Sequence, residues 1–166
     1  MSSSRQLAAI MFTDIVGYTA LMNENESEAA LVRHRHREVF QKEHENFHGQ
    51  VLQYYGDGTL SIFKSAVEAV GCAISMQQQF NTGLLVPLRI GIHLGDIAYN
   101  KNDIYGDGVN LASRIESMGI PGSILISDKL NYAVKSHDSI STKSLGLFEL
   151  KNIKEPIEKF SVTNRG

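Results

Sequence analysis

Val51-Leu52-Gln53-Tyr54-Tyr55, Gly56-Asp57-Gly58 and Thr59-Leu60-Ser61-Ile62-Phe63 follow one another in the chain. The outer two runs are rich in β-branched and aromatic residues, and the glycines between them permit positive φ, so a tight antiparallel hairpin with Asp57 at its tip is expected. Upstream, the apolar run Leu7 to Phe12 is short enough for a buried strand and ends at Asp14. A long helical stretch from about Ser27 to Phe47 lies between, with Ala29, Val32, Val39, Phe40 and Phe47 as candidates for its inner side. A strand, a crossover and a parallel second strand form a right-handed unit. In the split arrangement a third strand inserts antiparallel between those two. The carboxyl end of the first strand and the hairpin turn then share one edge of the sheet. Asp14 and Asp57 are therefore expected to be neighbours, although far apart in the chain.

Beyond the hairpin, Ser65 with Glu68 three residues later forms a capping-box pattern. Ala66, Ala69, Val70, Ala73, Ile74 and Phe80 recur behind it at helical spacing. Leu88 to Ile97 alternates as a strand through Leu88, Ile90, Ile92 and Leu94. A helix is expected from about Gly108 to Met118, a short strand over Ile124 to Ile126 and a short helix over Asp128 to Val134. Leu145 to Leu150 and Ile157 to Val162 close the chain as a second hairpin. This order predicts an α+β sandwich, derived from the ferredoxin-like pattern, with helices packed on a mainly antiparallel sheet.

With 166 residues, 42% of them hydrophobic, the chain can bury the core of a single domain over 1–166, its core spanning about 7–162. A net charge of −2 gives no polyanion-binding surface, so no nucleic-acid partner is expected. No apolar stretch approaches the roughly 20 residues that a membrane span needs. Met1-Ser2-Ser3-Ser4-Arg5 lacks the apolar centre of a signal peptide, which makes a cytoplasmic location the expectation. Cys72 is the single cysteine, which excludes an internal disulfide and a thiolate zinc site.

Two adjacent carboxylates on a loop-rich edge are hard oxygen donors, suited to Mg²⁺ or Mn²⁺. Taken singly, Asp14 also fits a helix cap and Asp57 an ordinary turn. Ile15-Val16-Gly17-Tyr18-Thr19 follows Asp14 and reads as a turn into a helix, whose free backbone N–H groups can hold phosphate oxygens. Asn110 and Arg114 stand four residues apart, which places them on one helix face while Leu111, Ile115 and Met118 pack inward. By itself, Arg114 also fits a surface ion pair, for instance with Glu116. His34, His36, His44 and His48 read as a solvated helix face, because no zinc-protease glutamate or cysteine accompanies them. The loop from Asp103 to Asn110 fails the calcium-loop pattern at its third and twelfth positions, Tyr105 and Arg114. Gly106 and Gly108 lack the third glycine of a dinucleotide fingerprint, and no glycine run leads to a phosphate-loop lysine. Tyr54 and Tyr55 read as strand packing.

Five blocks of this sequence together resemble the class III adenylate and guanylate cyclases. They are Phe12 to Thr19, Gly56-Asp57-Gly58, Arg89 to Gly95, Asp103 to Arg114, and Glu149-Leu150-Lys151-Asn152-Ile153, in that order over about residues 7–162. The resemblance implies a nucleotidyl cyclase with two Mg²⁺ or Mn²⁺ ions at Asp14 and Asp57 and an extra ligand in the Ile15 carbonyl. One ion would activate the ribose 3′-hydroxyl and the other bind the triphosphate. By the same resemblance, Asn110 orients the ribose, Arg114 stabilises charge on the α-phosphate, and Lys151 neutralises the triphosphate tail. It also implies a head-to-tail homodimer with the catalytic sites at the interface. Asn152 departs from the usual glycine, a position where asparagine tolerates left-handed backbone angles. Similar domains are commonly joined to regulatory modules.

For base recognition, adenylate cyclases usually carry a lysine at the place of Gln53, paired with an aspartate or threonine at the place of Asp103. Guanylate cyclases usually put glutamate in the first place. Ionised Asp103 only accepts hydrogen bonds, which suits the adenine amino group and repels the guanine carbonyl. The Gln53 amide can donate to adenine or flip and accept from guanine. The reading is therefore ATP to 3′,5′-cyclic AMP and pyrophosphate. The alternatives are GTP as substrate, a catalytically silent dimerisation or nucleotide-binding module, and another two-metal phosphoryl transferase.

Overall fold

Two long strands, β1 (Ser4–Ile15) and β4 (Leu88–Tyr99), run antiparallel in unbroken register from Ser4↔Tyr99 to Ile15↔Leu88. The computed structural model of the chain describes residues 4–100, 103–148 and 157–163. β1 reaches past its apolar centre at both ends because the ladder to β4 carries Arg5, Gln6 and Asp14 along with it. β2 (Gln50–Tyr55) and β3 (Gly58–Phe63) form the expected hairpin, with one bulge between Val51 and Gln53. β3 pairs antiparallel with both β1 and β2, so β1 and β2 run parallel with β3 inserted between them. This is the split arrangement read from the sequence.

The remaining strands are β5 (Ile104–Tyr105), β6 (Ile124–Ser127), β7 (Thr142–Phe148) and β8 (Ile157–Val162). The sheet order is β2-β3-β1-β4-β6-β8-β7, with β5 also on β4. Among the described residues only β4 and β6 pair in parallel, so the sheet is mainly antiparallel. β5 is too short to show any period in sequence. β7 starts three residues before the apolar run that signalled it, and the rest of that run, Glu149 and Leu150, lies outside the described residues.

The helices are α1 (Tyr18–Glu24), α2 (Glu26–Asn46), α3 (Ala66–Phe80), α4 (Asp107–Ser117) and α5 (Asp128–Val134). Side chains cap three of them: Asn25, Ser65 and Ser127 accept from the N–H groups of Glu28, Glu68 and Leu130. α2, α3 and α5 pack on one face of the sheet over a core that includes Met11, Phe40, Phe63, Phe80, Ile90 and Ile92. α4 lies on the other face, over a smaller cluster of Ala8, Ile10, Leu60, Ile62, Ile97 and Ala112. Gly91 permits that approach, since a Cβ there would stand 2.4 Å from the Glu116 backbone nitrogen.

The structure corrects two packing expectations. Met118 is 43% exposed and not part of the core, because α4 ends one residue before it. His36 and His44 are buried, at 2% exposure each, so of these four histidines His34 and His48 alone lie on a solvated surface. His36 and His44 fall in the same three- and four-residue stripe as Ala29, Val32, Val39 and Phe40, which carries them inward. His44 Nδ1 donates to the Phe40 carbonyl at 2.9 Å, and its Nε2 then accepts from Ser61 Oγ at 2.8 Å.

Candidate active site

Register brings the two aspartates together. Asp14 stands opposite Gly58 across β1 and β3, and the Ile15 N–H donates to the Asp57 carbonyl at 3.1 Å. On its other side Asp14 stands opposite Arg89 of β4. The Arg89 fork grips the Asp14 carboxylate, Nε to Oδ1 at 2.9 Å and Nη2 to Oδ2 at 2.5 Å. Its Nη1 donates to the Ser117 carbonyl at 3.0 Å, and Glu116 Oε2 lies 3.4 Å from its Nε. Neither Arg89 nor Glu116 was singled out from the sequence as a functional residue. Arg89 lay within a block that carried the resemblance, but its meeting with Asp14 follows only from strand register.

Two carboxylates therefore meet one guanidinium, and the charge of Asp57 acts on it as well. The hydrogen bonds that Arg89 donates to Asp14 hold its proton more tightly than usual, against the cost of burial. Burial, and then the charge of Asp14, pushes the Glu116 carboxyl up to about 7, with Arg89 opposing and Asp57 adding to the rise. That crowding is the mark of excess negative potential at this edge, and it fits a divalent cation. Among the described residues no group of three or more His, Cys, Asp or Glu converges as a metal cage. Two carboxylates without a cage suit ions that complete their coordination on phosphate oxygens, as Mg²⁺ characteristically does.

The turn after Asp14 is tighter than read from sequence. Gly17 adopts φ 75° and caps α1, a conformation that glycine allows at no steric cost. The Val16 N–H already donates to the Pro87 carbonyl at 2.8 Å, so Val16 offers no free donor to a phosphate. Of the candidate triphosphate donors, Gly17, Tyr18 and Thr19 remain; Tyr18 is buried and Thr19 exposed. Ile15 is buried beside Asp57 and Leu88.

Asn110 is exposed on α4, and Arg114, one turn on, is half-buried. Arg114 Nε is buried without a hydrogen-bond partner, and the ion pair with Glu116 goes to Arg89 instead. Gln53 and Asp103 are both exposed, but the chain does not bring them side by side. Gln53 is on β2, paired to Leu60 of β3, whereas Asp103 precedes β5 on the far side of β1 and β4. The Asp103 carboxylate accepts from the Ile104 N–H at 3.0 Å. Tyr54 packs against Phe40 with Arg37 over its ring, and Tyr55 stacks on Phe12. Lys151 and Asn152 lie outside the described residues. No helix among the described residues is long and apolar enough to cross a membrane.

Comparison with known proteins gives a consistent answer. The profile of the family described as "Adenylate and Guanylate cyclase catalytic domain" matches residues 1–164. The chain is 40% identical over 164 residues to a protein of Rhizobium meliloti (strain 1021) named "Putative adenylate cyclase 3". That match covers 94% of this chain but only 28% of the relative. Among solved structures, an adenylate/guanylate cyclase/hydrolase from Silicibacter pomeroyi superposes with a TM-score of 0.88 at 33% identity, covering 98% of this chain and 99% of that one. The adenylyl cyclase CyaB from P. aeruginosa superposes at 0.83 with 27% identity, covering 100% of this chain and 98% of that one.

Proposed function

Since this chain belongs to the family of adenylate and guanylate cyclase catalytic domains, we propose that it converts ATP to 3′,5′-cyclic AMP and pyrophosphate, with two divalent ions held by Asp14 and Asp57. The observation that carries this reading is the meeting of those residues at one sheet edge, tied by the bond from the Ile15 N–H to the Asp57 carbonyl. Class III cyclase domains generally use divalent ions. Mg²⁺ or Mn²⁺ here would supply Lewis-acid activation of the ribose hydroxyl and charge neutralisation of the phosphates.

The chain's own groups divide the remaining work. The Asp14 and Asp57 carboxylates and the Ile15 carbonyl hold the ions. The N–H groups of Gly17, Tyr18 and Thr19 face the phosphates, and Lys151 neutralises their tail. Asn110 orients the ribose, and one helical turn away the Arg114 fork meets the charge that develops on the α-phosphate. Its buried Nε without a partner is the kind of donor such an anion would satisfy.

Gln53 and Asp103 read the base. Both side chains are exposed and stand on opposite sides of β1 and β4, which supports a head-to-tail homodimer in which each copy completes the other's site. Specific activity should then fall as the protein is diluted below its dimer dissociation constant.

Asp103 favours adenine, while the Gln53 amide keeps GTP as the second reading. Turnover with ATP and with GTP under Mn²⁺, on the wild type and on Asp57→Ala, tests the proposal. Cyclic AMP in excess over cyclic GMP, lost in the variant, is expected. More cyclic GMP than cyclic AMP would leave the cyclase and transfer the substrate to GTP. Nucleotide binding without pyrophosphate release would leave a silent module.

A further inference from the structure

Glu116 is buried, at 7% exposure, and its Oε2 has no hydrogen-bond partner. Buried polar atoms are almost always partnered, so an orphan needs a physical reason. Arg89 Nε is 3.4 Å away but directs its hydrogen bond to Asp14 Oδ1 at 2.9 Å. Nη2 also binds Asp14, and Nη1 is anchored on the carbonyl of Ser117, the residue after Glu116. Arg89, anchored on Ser117, thus stands between the Asp14 carboxylate and the open oxygen of Glu116.

We propose that Arg89 is a two-position counter-ion, which clasps Asp14 until a divalent cation takes that carboxylate and then turns onto Glu116. The inference rests on the reading of Asp14 as a metal ligand given above. While Arg89 clasps Asp14, that carboxylate is closed to a cation. The apparent metal affinity is reduced by the fraction of molecules in which Arg89 has let go. Glu116 lowers the cost of letting go, because a half-buried guanidinium displaced toward no acceptor would be left as an unpaired charge. Arg89 and Glu116 are thus positioning residues for the metal carboxylate.

The test is a titration with Mn²⁺, followed by electron paramagnetic resonance of the free ion in the absence of nucleotide. It uses the full chain as wild type, Asp57→Ala, Arg89→Gln, Glu116→Gln and the Arg89→Gln/Glu116→Gln double variant. Arg89→Gln should tighten Mn²⁺ binding at least about fivefold, because it removes the competing cation. Glu116→Gln should weaken it about threefold when Arg89 is present, yet change it less than about twofold in the Arg89→Gln background. A mere change of local charge would make the two substitutions additive, and additivity overturns the proposal. Unchanged affinity in Arg89→Gln overturns it too, while weakened binding in Asp57→Ala would keep the metal site itself standing. If Asp57→Ala binds Mn²⁺ as the wild type does, the metal reading fails and the counter-ion role falls with it. Should Arg89→Gln lose its helical circular dichroism, Arg89→Lys serves instead, since lysine keeps the charge but lacks the fork. Its affinity should lie above the wild type's, and equality with the wild type counts against the proposal.

Discussion

The edge around Asp14 and the histidine cluster beneath α2 both remove polar groups from water, but they settle the cost in opposite ways. His44 lies between Phe40 and Phe63, with both ring nitrogens hydrogen-bonded, and burial lowers it to about 4. His36 stacks between Phe40 and Phe80 and is likewise lowered to about 4. Burial also pushes the neighbouring Cys72 thiol up. The two imidazoles and the thiol stay neutral, and they behave as core. At the other site two carboxylates share one guanidinium, and Glu116 carries a buried oxygen that faces Arg89 at 3.4 Å without a hydrogen bond. Neutral buried polar groups hold a fold together, whereas unbalanced charge at a sheet edge is available for chemistry.

The sharpest way to break this contrast is Arg114→Ala. Turnover should fall about 10² to 10³-fold, the usual cost of one donor aimed at developing charge. Thermal unfolding should stay near the wild-type midpoint, as steady-state kinetics and differential scanning calorimetry would show. A large loss of stability with turnover retained would make Arg114 a packing residue.

Acid should separate the two regions next. His36, His44 and His93 all have folded values of about 4, below the ordinary 6.5. Between those values the unfolded chain binds protons that the folded chain refuses. Their contribution is therefore complete above pH 6.5 and is lost as pH falls toward 4. Glu116, raised to about 7, works the other way, since its penalty is relieved as pH falls from 7 toward 4.5. Three losses outweigh one gain, so urea midpoints should drop by an amount worth a few kcal/mol across that window. His44→Gln should flatten the drop, and an unchanged pH profile would count against a neutral His44.

Gly91→Ala tests the packing that joins fold to site. Its Cβ would press on the backbone of α4, where little can yield, so a cost of about 1–3 kcal/mol is expected in chemical unfolding. Turnover should fall as well, because the same helix carries Asn110 and Arg114. The smallest expected effect is that of Gln53→Lys on base choice. A lysine only donates, so the ratio of cyclic AMP to cyclic GMP should rise about fivefold, or roughly 1 kcal/mol, when both triphosphates compete. No shift would remove Gln53 from base recognition.

Much of this was legible along the chain. The hairpin around Asp57, the cap at Ser65 and the helix carrying Asn110 and Arg114 rest on contacts between near neighbours, and local pattern reports such contacts well. The turn at Gly17 was legible in kind but not in detail, since the Val16 N–H is taken by Pro87, a residue far away in sequence. His36 and His44 were misread because a histidine has no fixed preference between solvent and core; only the apolar stripe around them gave the direction. Met118 was misread because helix period alone does not say where α4 stops.

By itself, then, the sequence determined the order of elements apart from β5, the split pairing that brings Asp14 to Asp57, and the residue types of a nucleotidyl cyclase. Spacing and turn chemistry are short-range, and handedness leaves few ways to connect them. Only the tertiary structure decided that Arg89 lies across from Asp14 and that Glu116 is buried beside the pair with an oxygen left unbonded. Those facts depend on strand register and on how closely α4 settles over Gly91. Such distances are set by the packing of residues remote in the chain, which no local pattern encodes.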